Sequence, residues 1–259
     1  MQLSYSRKHH RHNIRLPQTE PNALDQDQAF FWLEESGEQR KIAFHDYPEL
    51  YKRPGLYEQL FYERLHCCSP HVVASMLRDA VEEAGEALHA MRVLDLGAGN
   101  GMMGEELAKM GVARVIGVDI SPEAREACHR DRPGSYDDYM VIDLTHPTPQ
   151  SETDIRAWSP GVLTCVAALG FGDIPVEAFV TAYNLLPDGA WVAFNLKEHF
   201  MRLDGRGGFG PVIRDAIVQE HLALHQLRRY RHRLSIDGQP LHYLAVVGRK
   251  HNNLGLGDL

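Results

Sequence analysis

The feature that most constrains the fold is a glycine-rich turn between an apolar run and a helix-like stretch. Residues 92–96 are mostly apolar, and glycine then occupies every second position of residues 97–101. Apolar residues recur at helical spacing over residues 102–110, and a second apolar run, residues 114–118, ends at Asp119. A strand, a tight turn, a helix and a second strand in this order form a βαβ unit, whose strands lie parallel in one sheet.

The alternation of strands and helices continues through the rest of the chain. We predict further strands at residues 139–143, 162–169, 190–195, 226–235 and 241–249. We predict further helices at residues 69–84, from residue 122, at residues 175–186 and at residues 212–224. Ser69 is the expected N-cap of the first of these helices. The elements predict a doubly wound, mostly parallel seven-stranded sheet with an antiparallel last strand, which binds ligands at the carboxyl ends of its strands.

Nine aromatic residues lie between residues 30 and 62, ahead of the predicted sheet. Disordered segments are poor in aromatic residues, so this stretch is expected to be ordered. We predict that residues 21–68 form an N-terminal cap or lid over the ligand site and that residues 69–250 form the main domain. A satellite core on the far side of the sheet is the alternative. Residues 1–20 are predicted to be a mobile basic terminus, and residues 251–259 a tail.

The charge balance excludes several classes of partner. The chain of 259 residues carries 27 Lys and Arg against 35 Asp and Glu, a net charge of −8. Excess negative charge repels phosphate backbones and anionic lipids, so neither nucleic acid nor a membrane is the expected partner. Four cysteines without a C-x-x-C pair indicate a reducing, cytoplasmic location. No array of histidines and cysteines has the spacing of a zinc site, so no metal is expected.

Two residues of the glycine-rich unit indicate which ligand binds there. A dinucleotide fingerprint requires a third glycine at its sixth position, which is Met102 in this chain. Asp95, in the strand before the turn, would place a carboxylate close to a pyrophosphate, whereas a cationic amino group would be attracted. Asp119, at the end of the second strand, is placed to accept hydrogen bonds from the ribose hydroxyls of an adenosine. The pattern therefore favours an adenosine ligand with a cationic end.

Residues 93–101 resemble the first motif of the class I S-adenosylmethionine-dependent methyltransferases, which reads apolar-apolar-Asp/Glu-apolar-Gly-x-Gly-x-Gly. The resemblance extends over residues 69–250 and implies a methyltransferase with S-adenosylmethionine as its cofactor. It implies that the glycine turn contacts the methionine end of the cofactor and that Asp119 holds the ribose. It also implies that Ile120 touches the adenine ring and that Asp143 meets the adenine amino group, with a plain turn-forming acid as the alternative for Asp143. The predicted cofactor-binding residues are Asp95, Gly97, Ala98, Gly99, Gly101, Asp119, Ile120, Asp143 and Leu144.

The acceptor side of the sequence carries no nucleic-acid signature. Enzymes of this fold that methylate nucleobases often show Asn/Asp-Pro-Pro-aromatic or Pro-Cys after the fourth strand, whereas residues 167–173 read Ala-Ala-Leu-Gly-Phe-Gly-Asp. Together with the net charge, this favours a small-molecule acceptor that is methylated on oxygen or nitrogen. Arg229, Arg231 and Arg233 share one face of a predicted strand, which we expect to be solvated, with phosphate contact as the alternative.

Methyl transfer needs in-line approach of the acceptor, and it needs a general base only where the acceptor loses a proton. His199 is the preferred catalytic residue, because a histidine pKa of about 6.5 suits proton acceptance near neutrality. The residues predicted to contact the acceptor or to form the lid are Tyr57, Tyr62, Phe171 and Asn195. The other polar candidates near the strand ends or in the cap are His45, Asp173, Lys197 and Glu198.

Two functions of other classes fit the same pattern. One is an NAD-dependent oxidoreductase, which would need a different phosphate-binding turn. The other is a non-catalytic protein that uses this fold for binding, because a fold does not determine a function. Selective binding of S-adenosylmethionine over NAD separates the first from a methyltransferase, and turnover separates the second.

Overall fold

The structure is a computed structural model that describes residues 11–18, 26–169, 173–198 and 208–255. Two predicted site residues, Phe171 and His199, lie outside these ranges, as do most of the basic terminus and the end of the tail. Within these ranges, no helix combines the length and the apolar composition needed to cross a membrane.

The N-terminal segment forms a small antiparallel sheet followed by a helical run. Its strands, in the order β1-β2-β3, are β1 (Asn13–Arg15), β2 (Phe30–Glu35) and β3 (Glu38–Ala43). The helical run consists of α1 (Tyr47–Tyr51), α2 (Leu56–Glu58) and a π-helical turn (Gln59–Arg64). Phe31 and Leu33 of β2 pack against Leu50 and Leu60 of the helical run, so this segment has an apolar core of its own.

The main sheet has seven strands in the order β6-β5-β4-β7-β8-β10-β9. The strands are β4 (Arg92–Leu96), β5 (Arg114–Asp119), β6 (Asp138–Val141), β7 (Val162–Leu169), β8 (Trp191–Lys197), β9 (Leu222–Leu234) and β10 (Pro240–Lys250). Strands β4 to β8 pair in parallel, whereas β10 runs antiparallel to both β8 and β9. The predicted fold class, a mostly parallel sheet closed by an antiparallel last strand, is confirmed.

Helices cover both faces of the main sheet. They are α3 (Ser69–Glu83), α4 (Met102–Met110), α5 (Pro122–Asp131), α6 (Pro149–Ala157), α7 (Val176–Leu185) and α8 (Phe209–Val218). In β4, Val93 packs in the core that contains α3 and α4, whereas Leu94 and Leu96 pack in the core that contains α7 and α8. Side chains alternate along a strand, so two buried faces require this nearly continuous apolar sequence.

The structure differs from the predicted elements near the strand ends. Strand β6 ends at Val141, so Asp143 lies in the following loop rather than in the strand. Helix α8 ends at Val218, because Glu220 adopts a left-handed backbone conformation with φ of 58°. Strand β9 therefore starts at Leu222, earlier than predicted.

Ser69 is not the N-cap of α3, which is Cys68. The Ser69 hydroxyl is buried and lies 2.6 Å from the Tyr230 hydroxyl and 2.6 Å from Nδ1 of His232. Two polar partners on β9 thus replace the helix amides that the capping prediction had assigned to this hydroxyl.

Candidate active site

A cavity of about 350 Å³ lies at the carboxyl ends of the central strands, where sheets of this topology bind ligands. One wall is the glycine turn after β4 together with the residues that follow β5 and β6. The opposite wall belongs to the N-terminal segment, which contributes Tyr47, Tyr51, Tyr57 and Tyr62. The lid residues predicted from the sequence, Tyr57 and Tyr62, therefore lie at the same cavity as the glycine turn.

The glycine turn has a backbone that only glycine adopts without strain. Gly97, Gly99 and Gly101 have φ values of 70°, 54° and 90°. A Cβ on Gly97 would lie 2.7 Å from Cδ1 of Ile174, and one on Gly99 would lie 2.7 Å from the Tyr51 hydroxyl. The turn therefore presents bare backbone to the cavity, and α4 begins directly after it with the positive end of its dipole at the same place.

Asp119 is held at the end of β5 by backbone groups. Its Oδ2 accepts a hydrogen bond from the Gly99 N–H at 2.9 Å, and its Oδ1 accepts one from the Ser121 N–H at 2.9 Å. Burial raises the pKa of Asp119, and the hydrogen bonds from these backbone amides oppose the rise. A carboxylate has about four acceptor positions, so Asp119 retains capacity to accept from a ligand hydroxyl.

The residues after Asp119 and after β6 complete this end of the cavity. Ile120 lines the cavity and is 64% exposed, so most of its apolar surface has no partner among the described residues. Asp143 also lines it, and hydrogen bonds from Thr145 lower the pKa of Asp143. Leu144 lines it as a buried residue of the main core. The structure thus brings together Gly97, Ala98, Gly99, Asp119, Ile120, Asp143 and Leu144 of the predicted cofactor site.

Asp95 lies behind the glycine turn and does not line the cavity. It is 1% exposed and accepts hydrogen bonds from the Tyr136 hydroxyl and the Thr164 hydroxyl, each at 2.6 Å. Burial raises the pKa of Asp95 to about 6, and the two hydroxyl hydrogen bonds oppose the rise. The ionised form is therefore disfavoured in the folded protein relative to the unfolded chain.

This shift predicts that Asp95 lowers stability as pH rises from about 4 to 6, because the folded state binds more protons than the unfolded state in that range. The difference in unfolding free energy between Asp95→Asn and the wild type should shift by about 2 kcal/mol in favour of the variant as pH rises from 4 to 7.5. Urea unfolding of both proteins at the two pH values measures the gain. A stability difference that does not change with pH would contradict the shift.

A buried ion-pair network joins the N-terminal segment to the glycine turn. Arg132 donates hydrogen bonds to Glu58 of α2 at 2.6 Å and to Glu105 of α4 at 2.9 Å. It also donates to the backbone oxygen of Asn100 at 3.1 Å, and the Asn100 amide donates to Glu58 at 3.0 Å. The wall of tyrosines is therefore attached to the turn by charge-assisted hydrogen bonds.

A second, smaller cavity of about 40 Å³ adjoins the first, and Asp173 lies in the walls of both. Oδ1 of Asp173 lies 3.0 Å from Nδ1 of His45, and Oδ2 accepts a hydrogen bond from the Tyr47 hydroxyl at 3.2 Å. The hydrogen bond to Asp173 raises the pKa of His45, against the effect of burial. The sequence named both residues as candidates, but it gave no sign that they are paired.

Asn195 lies on β8, beside the part of β7 that lines the two cavities. It is buried, its Oδ1 accepts a hydrogen bond from the Ala167 N–H at 2.6 Å, and its Nδ2 donates to the Tyr230 hydroxyl at 2.7 Å. Ala167 has a φ of 59° at a break in the pairing of β7 with β8, and it lines both cavities. Asn195 thus bonds backbone that lines both cavities without lining either itself, and neither Lys197 nor Glu198 lines one of these two cavities.

The prediction that Arg233 lies on a solvated strand face is wrong, because Arg233 is buried. The register of β9 against β10 shifts, since Arg233 pairs with Leu241 whereas Arg231 pairs with His242. The extra residue, His232, is a bulge that breaks the alternation of the strand. Arg231 is exposed, but Arg233 is turned inward and lines the second cavity.

The amino-acid sequence matches the family model of a methyltransferase domain over residues 93–158. Among curated proteins, the chain is 29% identical over 122 residues to the ubiquinone biosynthesis O-methyltransferase of Actinobacillus pleuropneumoniae. It is 31% identical over 128 residues to the protein of the same name from Burkholderia multivorans. Each alignment covers 46% of this chain and 51% of the relative, so the chain spans about half the length of the curated relatives it matches.

Among solved structures, the chain is similar to the N-methyltransferase NodS of Bradyrhizobium japonicum in complex with S-adenosyl-L-homocysteine. The TM-score is 0.54 at 15% identity, and the alignment covers 81% of this chain and 98% of that one. At this identity the similarity shows a shared fold.

Proposed function

We propose that the chain, which matches a methyltransferase domain over residues 93–158, is a class I S-adenosylmethionine-dependent methyltransferase and transfers the methyl group of this cofactor to an oxygen or nitrogen atom of a small-molecule acceptor. With the cofactor bound, an acceptor lone pair bonds to the methyl carbon, the carbon–sulfur bond breaks with its electron pair left on sulfur, and the acceptor O–H or N–H gives its proton to a base. The observation that carries the proposal is the cavity in which the glycine turn and Asp119 face the tyrosines of the N-terminal segment.

We propose one orientation for the cofactor in this cavity. The adenosine part is assigned to the end with Asp119, Ile120 and Asp143, where a fixed carboxylate meets ribose hydroxyls and an apolar side chain meets the adenine ring. The methionine part is assigned to the glycine turn, because the backbone of Gly97 and Gly99 lines the cavity without side chains. Asp95 acts indirectly in this assignment, since its oxygens are bonded to hydroxyl groups beneath the turn.

Asp173 and His45 are assigned as the proton-accepting pair for the acceptor. Strand β7, which precedes Asp173 in the chain, lies on the opposite side of β4 from β5, which carries Asp119. Asp173 is therefore expected at the acceptor end of the cavity, beyond the methionine part of the cofactor. A hydroxyl must lose its proton as it attacks, so a carboxylate–imidazole pair favours oxygen as the methylated atom. The curated relatives named above are likewise O-methyltransferases.

Replacing Asp173 with Asn should lower kcat for a hydroxyl acceptor by about a hundredfold, since a general base contributes roughly 10²- to 10⁴-fold. The hydrogen bond to Asp173 raises the pKa of His45, so wild-type activity should rise with pH through a value above the usual histidine pKa of about 6.5. The variant should show this rise at lower pH. The pH–rate profiles of both proteins measure the effect, with Glu198→Gln, an exposed carboxylate paired with Arg229, as the control. An unchanged kcat and profile would contradict the assignment.

Residues 21–68 are proposed to act as the lid of this site, over the main domain of residues 69–250. The tyrosines at the cavity and the link from Glu58 to Arg132 support this role. A lid that excludes water strengthens polar interactions in the cavity and gives the acceptor a second wall. The segment also has its own apolar core, and four of its tyrosines line the cavity, whereas the alternative placed these rings on the far side of the sheet.

Incubation with methyl-labelled S-adenosylmethionine and fractionated cell extract tests the proposed function. We expect label in a small-molecule fraction, with release of S-adenosylhomocysteine. Label in protein or nucleic acid alone would contradict the acceptor class. Cofactor binding without label in any fraction would indicate a non-catalytic binding protein instead.

A further inference from the structure

We propose that the second cavity binds a carboxylate group of the acceptor and that Arg233 is the residue that pairs with it. The inference rests on the proposed methyl transfer and narrows its acceptor. The acceptor is then an aromatic or otherwise apolar small molecule that carries a carboxylate in addition to the methylated oxygen or nitrogen.

Arg233 is a buried cation without an acidic partner in the described part of the chain. It is 6% exposed, and among the described residues its one hydrogen bond runs from Nη1 to the backbone oxygen of Leu234 at 2.8 Å. Its guanidinium carbon lies 5.5 Å from the ring centre of Phe44 and 5.7 Å from that of Phe61. A guanidinium has five N–H donors and stays protonated in proteins, and buried charges are normally paired. In the described part of the chain, Arg233 therefore has donors without an acceptor and no anion beside its charge, which favours an anionic ligand.

Tyr243 and Asp173 are two further ionisable groups in the lining of the second cavity. Tyr243 also lines the second cavity, and burial raises the pKa of Tyr243 to about 12, so its hydroxyl remains a donor. Asp173 is the carboxylate in the lining of this cavity, and His45 and Tyr47 bond its two oxygens. Both oxygens of Asp173 are thus bonded to these two partners, and no ion pair joins Asp173 to Arg233 in the described part of the chain, so Arg233 is the cation available to a ligand.

The size of the second cavity matches one carboxylate rather than a whole acceptor. Its volume is about 40 Å³, and roughly 10–15 Å³ holds one water-sized group. The space thus holds about three heavy atoms, the number in a carboxylate. Tyr57, Ala167 and Ala168 border both cavities, so the rest of the acceptor would lie in the main cavity beside Asp173. The methylated oxygen or nitrogen therefore belongs to a different group of the acceptor from the carboxylate.

Calorimetric titrations with S-adenosylhomocysteine bound test this inference with three matched pairs of probes. The pairs are benzoate with benzamide, 4-hydroxybenzoate with 4-hydroxybenzamide, and octanoate with octanamide. We expect the wild type to bind at least one carboxylate about tenfold or more tightly than its amide, because paired charge-assisted hydrogen bonds are strong. Arg233→Met should lose this preference without a change in affinity for S-adenosylhomocysteine. Arg233→Lys should keep part of it.

The control variant is Arg231→Met, which removes an exposed arginine from the same strand and should keep the full preference. Equal binding of every carboxylate and its amide by the wild type, or a preference that persists in Arg233→Met, would overturn the inference. If Arg233→Met does not fold, Arg233→Lys is the deciding variant. A preference of Arg233→Lys for carboxylate over amide as large as that of the wild type would then overturn the inference. Absence of S-adenosylhomocysteine binding in the first titration would instead contradict the proposed function.

Discussion

Replacing Asp119 with Ala is expected to weaken binding of S-adenosylmethionine by about ten- to a hundredfold and to leave the protein folded. Loss of hydrogen bonds to a charged group costs about 1.5–3 kcal/mol, which corresponds to this change in affinity. Asp119 also fixes the Gly99 and Ser121 amides, so the variant should lose order in the glycine turn as well. Isothermal titration of the cofactor into both proteins measures the loss.

The matched control for this experiment is Asp137→Ala. Asp137 also accepts a hydrogen bond from a backbone amide, that of Val115 at 2.8 Å, but it lies at the other end of β5 and does not line the cavity. Asp137→Ala should lose about as much unfolding free energy as Asp119→Ala, but it should keep the wild-type affinity for the cofactor. Equal affinities of the wild type and the Asp119 variant would show that Asp119 does not hold the ribose.

Replacing Arg132 with Met is expected to cost about 3–5 kcal/mol of unfolding free energy, because removal of one partner leaves buried charge uncompensated. The buried carboxyl of Glu58 would lose its cationic partner, and the carbonyl of Asn100 would lose a donor. The N-terminal segment should then detach more readily from the glycine turn. We therefore expect faster proteolysis within residues 44–65 together with weaker cofactor binding.

Arg114→Met is the control for the Arg132 variant. Arg114 is exposed, and its Nε lies 3.6 Å from Oδ1 of Asp137. Loss of this exposed ion pair should cost less than about 1 kcal/mol of unfolding free energy. A lid predicts that cofactor binding protects residues 44–65 from protease in the wild type and in Arg114→Met. The same protection should be absent in Arg132→Met. Protease sensitivity of this segment that does not depend on the cofactor would contradict one.

The strand, turn and helix around the glycine motif could be predicted because their signals are local. The apolar run, the glycines with positive φ and the start of the next helix follow one another within 19 residues, from Arg92 to Met110. The Ser121 cap of α5 is equally local, and its hydroxyl accepts the hydrogen bond from the Ala124 amide that the capping pattern predicts. Short-range rules therefore located the proposed cofactor end of the site.

Two elements that the sequence analysis did not predict carry weaker local signals. Helix α6 has one buried residue, Ile155, and so lacks an apolar period, although Thr148 and Pro149 form a typical helix start with a capping box. The hairpin of β2 and β3 turns at Ser36 and Gly37, both with positive φ. A search for turn residues between alternating apolar positions would have indicated it.

The acceptor end could not be predicted, because long-range contacts and a bulge form it. His45 and Asp173 are separated by 128 positions, and nothing in their spacing indicates that they meet. Arg233 faces inward only because His232 is an extra residue in β9, and strand alternation without the bulge places it on the solvated face. The pair of Asp173 and His45 is therefore proposed from the structure, whereas His199 lies outside the described residues and stays a prediction.

The most direct test of the account is a pair of calorimetric titrations of the wild-type protein, one with S-adenosylhomocysteine and one with NAD. We predict one binding site per chain for S-adenosylhomocysteine, competed by S-adenosylmethionine, and no heat of binding for NAD. The reason is the turn itself, in which bare glycine backbone and the carboxylate of Asp119 suit an adenosine with an amino acid attached. Binding of NAD with no response to either methionine-derived compound would contradict the account.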